Sequence, residues 1–227
     1  MRTYVYLLLL LLVSSCAPSR FVEPLDKKEF ALGGNLGGPL ISFAGVPISV
    51  PLSSIEGGYG LDTNLTIHAG LHTTSMFFGN FQIDGGVTYQ FLEQQKYLPS
   101  LSVSPAFNFI IDLDDGQADF WPMLDVNAFW NYGNRRNYFY LGVNNYFELS
   151  STMANDLPQE RFLLFSPQVG HVIKGKNRAW ELSLELKLIA PNLESANAFV
   201  SYTGITGNRG ATGVYIGFRK LLGRKKK

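Results

Sequence analysis

The chain has 227 residues, 46% of them hydrophobic, 16% charged and 14% aromatic, with one cysteine and a formal charge of +1. Matched acids and bases exclude a nucleic-acid surface, and a lone cysteine excludes a disulfide framework or a cysteine-based zinc site. Mean hydropathy is +0.04, and after the N-terminus no apolar run nears the ~20 residues of a spanning helix, which excludes a helical membrane bundle.

The chain opens on Met1-Arg2, then an apolar stretch from Val5 to Val13, then Ser14, Ser15 and Cys16. A basic start followed by an apolar core too short to span reads as a secretory signal peptide. Val13-Ser14-Ser15-Cys16 resembles the bacterial lipobox, in which the peptidase cuts before the cysteine and the thiol carries lipid. The resemblance implies a signal peptide over 1–15 and covalent lipid on Cys16, with no other cofactor. Ala17 in place of Asp points the lipoprotein to the outer membrane of a Gram-negative bacterium. Two or three acyl chains hold stably where one is marginal. Residues 16–28 then read as a lipidated periplasmic tether.

From about residue 29 the pattern has period two. Leu101, Val103, Phe107, Phe109 and Ile111 share one face, opposite Ser100, Ser102, Ser104 and Asn108. Trp180, Leu182, Leu184, Leu186 and Leu188 alternate with Glu181, Ser183, Glu185 and Lys187. Such runs exceed the ~5–6 residues of an average strand and match the ~9–11 that cross a membrane as a tilted strand. We expect a transmembrane antiparallel up-and-down β-barrel over 29–222, with eight or twelve strands as alternatives to ten. The ten strands fall near 29–37, 53–61, 64–73, 81–91, 99–113, 118–131, 137–150, 161–174, 178–190 and 211–222.

Connections at 62–63, 92–98, 132–136 and 175–177 read as periplasmic turns. Those at 38–52, 74–80, 114–117, 151–160 and 191–210 read as external loops, 39–52 because Pro39, Pro47 and Pro51 disfavour paired strands. An even count leaves both ends periplasmic, including a basic tail over 223–227. Tyr89, Phe91, Trp130, Phe139 and Trp180 lie on the apolar parity near short turns, as an interfacial girdle requires. Phe81, Phe120 and Phe147 are candidates for the opposite girdle.

The Gly34-Asn35-Leu36-Gly37-Gly38-Pro39 segment, the turn from Gly58 to Thr66, the run from Leu98 to Pro105 and the strand from Gly213 to Phe218 resemble uncharacterised outer-membrane β-barrel lipoproteins of Bacteroidota-type bacteria. The resemblance implies a fold and a location but no reaction. The chain departs from many outer-membrane barrels by continuing past Phe218 to Arg224-Lys225-Lys226-Lys227.

With the apolar parity in lipid, the other parity faces the lumen and carries Glu29, Glu56, His68, His72, Asp84, Asp112, Asp125, Glu148, Glu181, Glu185, Lys187 and Arg219. Trp121, Met123, Phe129, Tyr138, Tyr140 and Tyr146 also point inward, so the interior is expected to be blocked. Hairpin register suggests one network of Glu56, His68, Asp84 and His72. It is read mainly as a satisfied polar filling, with a divalent metal as the alternative. At the closing seam Arg219 is expected between Glu181 and Glu29.

No catalytic site is expected. There is no G-x-S-x-G elbow, and the acid pairs and Asp–His dyad of the omptin proteases have no residue-by-residue match. Asp112 to Gly116 lacks the glycine and glutamate of a calcium loop and reads as a hairpin turn. The function expected is a non-enzymatic barrel with a filled lumen, structural or accessory to an outer-membrane assembly. Its expected partners are outer-membrane lipid and another outer-membrane protein. The alternative is a narrow gated channel or carrier for a small or amphipathic solute.

Overall fold

The structure is a computed structural model, described over residues 18–134, 137–151, 162–175, 179–194 and 202–222. The signal peptide, Cys16, Arg135, Arg136 and the basic tail lie outside the described residues.

Period-two alternation yields β1 (Phe30–Phe43), β2 (Val46–Ser49), β3 (Leu52–Asp62), β4 (Leu65–His72), a short helix α1 (Thr73–Phe77), β5 (Asn80–Leu92), β6 (Ser100–Asp112), β7 (Ala118–Tyr132), β8 (Asn137–Phe147), β9 (Leu163–Lys174), β10 (Trp180–Glu194) and β11 (Arg209–Leu222). Each strand pairs antiparallel with its sequence neighbours, except that β2 pairs with β1 alone and β1 pairs with β3 past it. Strand β11 returns to β1 from Phe30↔Leu222 to Pro39↔Gly213. Leaving out β2, ten of the described strands close an up-and-down β-barrel, and closure leaves no edge to pair with another chain.

The two parities see different surroundings. Leu36, Ile55, Leu141, Leu184, Ile216 and Phe218 are exposed on the outer face, whereas Ser102, Asn108, Asn127, Tyr138 and Lys187 are buried inside. Exposed or, on β6, half-buried outward apolar side chains on every strand of the wall make a continuous apolar belt, which in water is a surface awaiting hydrocarbon. Girdle aromatics flank it: Trp130 stacks on Phe139 at 5.0 Å and Trp180 on Phe218 at 6.2 Å near one rim, and Phe107 stacks on Phe120 at 5.8 Å toward the other.

Two expectations change. The loop expected over 39–52 is partly a hairpin, in which β1 runs on to Phe43 and pairs with β2. Ala44 and Gly45, at φ 51° and 79°, make the tight turn that joins them. Pro39 is the last residue of the seam and Pro47 lies in a two-stranded flap beyond it, places where a missing N–H breaks no closed ladder. The loop expected over 74–80 contains α1.

The larger correction concerns the tether. From Pro18 onward the segment, expected as a periplasmic tether, lies inside the barrel in this unacylated chain. Phe21, Val22 and Leu25 are 2%, 2% and 4% exposed. Val22 joins a core with Phe129, Tyr138, Tyr140 and Val172, and Leu25 and Phe21 join Ala31 and Leu221. Arg20-Phe21-Val22 carries too much apolar surface to stay in water when an enclosed lumen is adjacent.

Candidate functional site: the plugged lumen

Strand register sets one lateral row of inward positions. Glu181 faces Arg219, Arg219 faces Gly33, Gly33 faces Glu56, Glu56 faces Gly70, and Gly70 faces Asp84. Charged side chains thus alternate with glycines, and each glycine leaves a gap across which its neighbours reach. Over Gly33, Arg219 Nη2 meets Glu56 Oε1 at 2.8 Å, while its Nη1 meets Glu181 Oε2 at 3.2 Å.

Over Gly70 the gap is taken by Arg20. Its Nη1 donates to Glu56 Oε2 at 2.9 Å and to Ser54 Oγ at 3.0 Å. Its Nε donates to Asp84 Oδ1 at 3.0 Å, and Nη2 closes the fork on Asp84 Oδ2. A Cβ at position 70 would stand 2.3 Å from Arg20 Nη2, so any larger residue expels the arginine. Asp84 also meets His72 Nε2 at 2.8 Å. Asn35 Nδ2 donates to Glu56 Oε2 at 3.0 Å. All these side chains are buried, and charges so placed persist only when paired.

The structure therefore joins Glu56, His72, Asp84, Glu181 and Arg219 into one network. His68 stands beside it. His68 faces Gly58 across the β3–β4 pair, and neither ring nitrogen has a hydrogen-bond partner among the described residues. Its ring instead lies 5.7 Å from that of Phe21. Arg219 caps the other side of Phe21 at 4.1 Å. The expected partner of Arg219 on β1, Glu29, points elsewhere: its Oε2 accepts from the Asp26 N–H at 3.1 Å.

Further contacts pin the rest of the segment to the wall. Ser19 N–H donates to Glu185 Oε2 at 3.0 Å, and Tyr140 Oη donates to the same oxygen at 2.6 Å. Ser102 Oγ donates to the Val22 carbonyl at 2.8 Å, and Leu25 N–H to Thr66 Oγ1 at 2.8 Å. Lys174 binds Glu23. Lys27 meets Asp62 at 3.3 Å beside the first short turn. What remains around Pro18 and Arg20 is a cavity with about 30 Å³ open to water centres, room for a water or two. Among the described residues no group of three His, Cys, Asp or Glu has the arrangement of a metal site. Between Glu56 and Asp84, the arginine fork stands where a cation would.

No protein-family model matches the sequence, and a search of curated proteins finds no match. Among solved structures, the chain is similar to the outer membrane protein OprG from Pseudomonas aeruginosa, at 11% identity and a TM-score of 0.35 over 89% of this chain and 100% of that one. It is similar to an anion-selective porin from Comamonas acidovorans, at 16% identity and a TM-score of 0.35 over 88% of this chain and 57% of that one. A bacterial polysaccharide outer membrane secretin matches at 10% identity and a TM-score of 0.34, over 88% and 99% of the two chains. The barrel assignment rests on the strand pairing itself.

Arg20 is the functional residue that sequence reasoning missed. Two signals pointed to it. Among the described residues the lumen parity carries Glu29, Glu56, Asp84, Asp112, Asp125, Glu148, Glu181 and Glu185 against Lys174, Lys187 and Arg219, an excess of acid that calls for a cation from elsewhere. Gly58, Gly60 and Gly70 also fall on that parity and open a groove, at which a Cβ would strike Phe21, Asp26 and Arg20 respectively.

Proposed function

We propose that this protein is a non-enzymatic outer-membrane β-barrel lipoprotein, anchored through Cys16, that serves as a structural or accessory subunit of an outer-membrane assembly. The observation that carries the reading is the crowded interior: Trp121, Phe129, Tyr138, Tyr140 and Tyr146 narrow it from the wall, and with residues 18–28 seated only water-sized space is left around Pro18 and Arg20. The apolar belt and its aromatic girdles support residence in a bilayer. Docking surfaces are available outside the wall. Phe43 is 67% exposed on the β1–β2 flap, and Phe77 is 87% exposed on α1. Affinity purification from native membranes in mild detergent, followed by mass spectrometry, tests it. A stoichiometric outer-membrane partner is expected, and recovery of the chain alone would refute the accessory role.

A second reading has its own observation. The lumen is filled in part by a segment outside the wall's ladder, which is separable from it, so a narrow gated channel is the alternative. In planar bilayers the plugged, unacylated protein is expected to stay silent; steady unitary openings of the acylated protein would favour the channel.

A further inference from the structure

The direction of the plug is informative. Lys27 pairs with Asp62 at the short-turn rim. Pro18, at the other end, borders a small cavity with Leu52, Ser53, His72 and Tyr215, level with the start of β3. The segment thus climbs most of the wall. Ser53 to Asp62 covers about 30 Å of strand at ~3.4 Å per residue, or roughly 20–25 Å along the axis of a barrel with strands tilted ~35–45°. Cys16 precedes Pro18 by two residues, and two residues reach at most about 7 Å. A seated plug and an acyl anchor in the leaflet at the short-turn rim therefore exclude each other.

We infer that residues 18–28 are a displaceable plug, and that acylation of Cys16 draws them out of the lumen. The same segment is then a plug in the unmodified chain and a tether in the lipidated one. The inference rests on the lipobox reading of Val13 to Cys16. Its driving force is a difference in solvents. A lumen walled by Glu56, Asp84, Glu185 and Lys187 and crowded by Phe129, Tyr138 and Tyr140 offers no continuous apolar bed for hydrocarbon chains, whereas two or more acyl chains hold firmly to a bilayer. What the plug gives up on leaving is the burial of Phe21, Val22 and Leu25 together with its charged and polar contacts; at about 0.8 kcal/mol per buried CH₂, two or more acyl chains outweigh three side chains. Drawn out, the tether leaves Glu56, Asp84 and Glu185 facing water that enters the lumen.

A cysteine pair reads the position of the plug. A Cβ at Gly58 would stand 2.5 Å from the far end of the Phe21 ring, so Phe21→Cys with Gly58→Cys sets two thiols across the gap the ring leaves, and a brief pulse of a short bifunctional thiol crosslinker on membranes reports seating. The pair is placed in the chain with its own leader and in a form with an ordinary signal peptide and Cys16→Ser. Intact mass reports acylation, and heat-shifted gel mobility reports folding. The unacylated form is expected to close the crosslink nearly completely. The acylated form should close it about tenfold less, because an unseated segment has lost its local thiol concentration. Full closure in a folded, acylated protein overturns the inference and leaves the lipobox reading standing, since the lipid would then leave by the far mouth. Absence of acyl mass on the native-leader protein overturns both. Leu25→Cys with Thr66→Cys, joined at 2.8 Å through the Leu25 N–H, replaces the first pair if that variant does not fold.

Discussion

At the scale of single residues, the lumen separates side chains that are paired from one that is not. Arg20 holds Glu56 and Asp84 at once, and removing one partner of a buried ion pair costs more than the pair contributes. Arg20→Ala in the plugged, unacylated protein is expected to lose about 3 kcal/mol, measured as a lower temperature of conversion from the folded to the unfolded gel band. Arg20→Lys should recover only part of it, because a single ammonium cannot span the fork to both acids. His68 gives the opposite expectation. Both its nitrogens are buried without a hydrogen-bond partner, so replacing it with an apolar ring gives up little. His68→Phe is expected to melt within about 1 kcal/mol of wild type or above it. His72→Phe leaves Asp84 short of a donor 2.8 Å away, and it should melt lower. Equal effects of the two histidine changes would refute the division.

At the scale of the strand, what matters is which solvent a position meets and how closely the backbones approach. Leu141 lies near the middle of β8 and is 51% exposed to the outside. Leu141→Arg should cost about 2–4 kcal/mol if it lies at the bilayer midplane, read as folded yield in lipid vesicles. A Leu141 variant that folds as well as wild type would place that face in water. Backbone approach is tested at two glycines with positive φ. Gly37 has φ 140° and its added Cβ would lie 2.1 Å from the Val214 carbonyl across the seam, whereas Gly45 has φ 79° and open space around it. Gly45→Ala should cost about 1–2 kcal/mol, the strain of a left-handed conformation alone. Gly37→Ala should cost more and lower assembly yield, because the closing pair of β1 and β11 must part to admit it.

For the molecule as a whole, the belt and the plug have separate consequences. The belt requires hydrocarbon, so the mature chain without its lipid is expected to aggregate when detergent is withdrawn, measured by sedimentation. The plug makes lumen occupancy a property of the N-terminal segment rather than of the wall alone. An unacylated chain with Cys16→Ser that also lacks residues 18–25 should still close the barrel, because every strand pairing from β1 to β11 lies downstream of residue 29. Its folded band is expected to persist at reduced stability; failure of the wall to form would show that the plug templates it.

Much of this was legible in one dimension. Period two over long runs, with nearly all strand charges on one parity, fixes a wall between two solvents, because neighbouring side chains on a strand must point to opposite faces. The ten strands of the wall and the inward tyrosines follow from the same rule, and the alternation of connections between the two rims follows from up-and-down closure. Proline counting misjudged residues 39–52, since proline excludes a central strand but permits a flap beyond the rim. The assembly of Glu56, Asp84, Glu181 and Arg219 into one row depended on register, which the β3–β4 irregularity at Gly60/Asp62 helps to set and which no periodicity reveals. Arg20 was beyond reach for a simpler reason. Residues 18–28 have no period of their own, so their place is decided by the groove and the uncompensated acids that the closed barrel presents, and these exist only once strands distant in sequence have met.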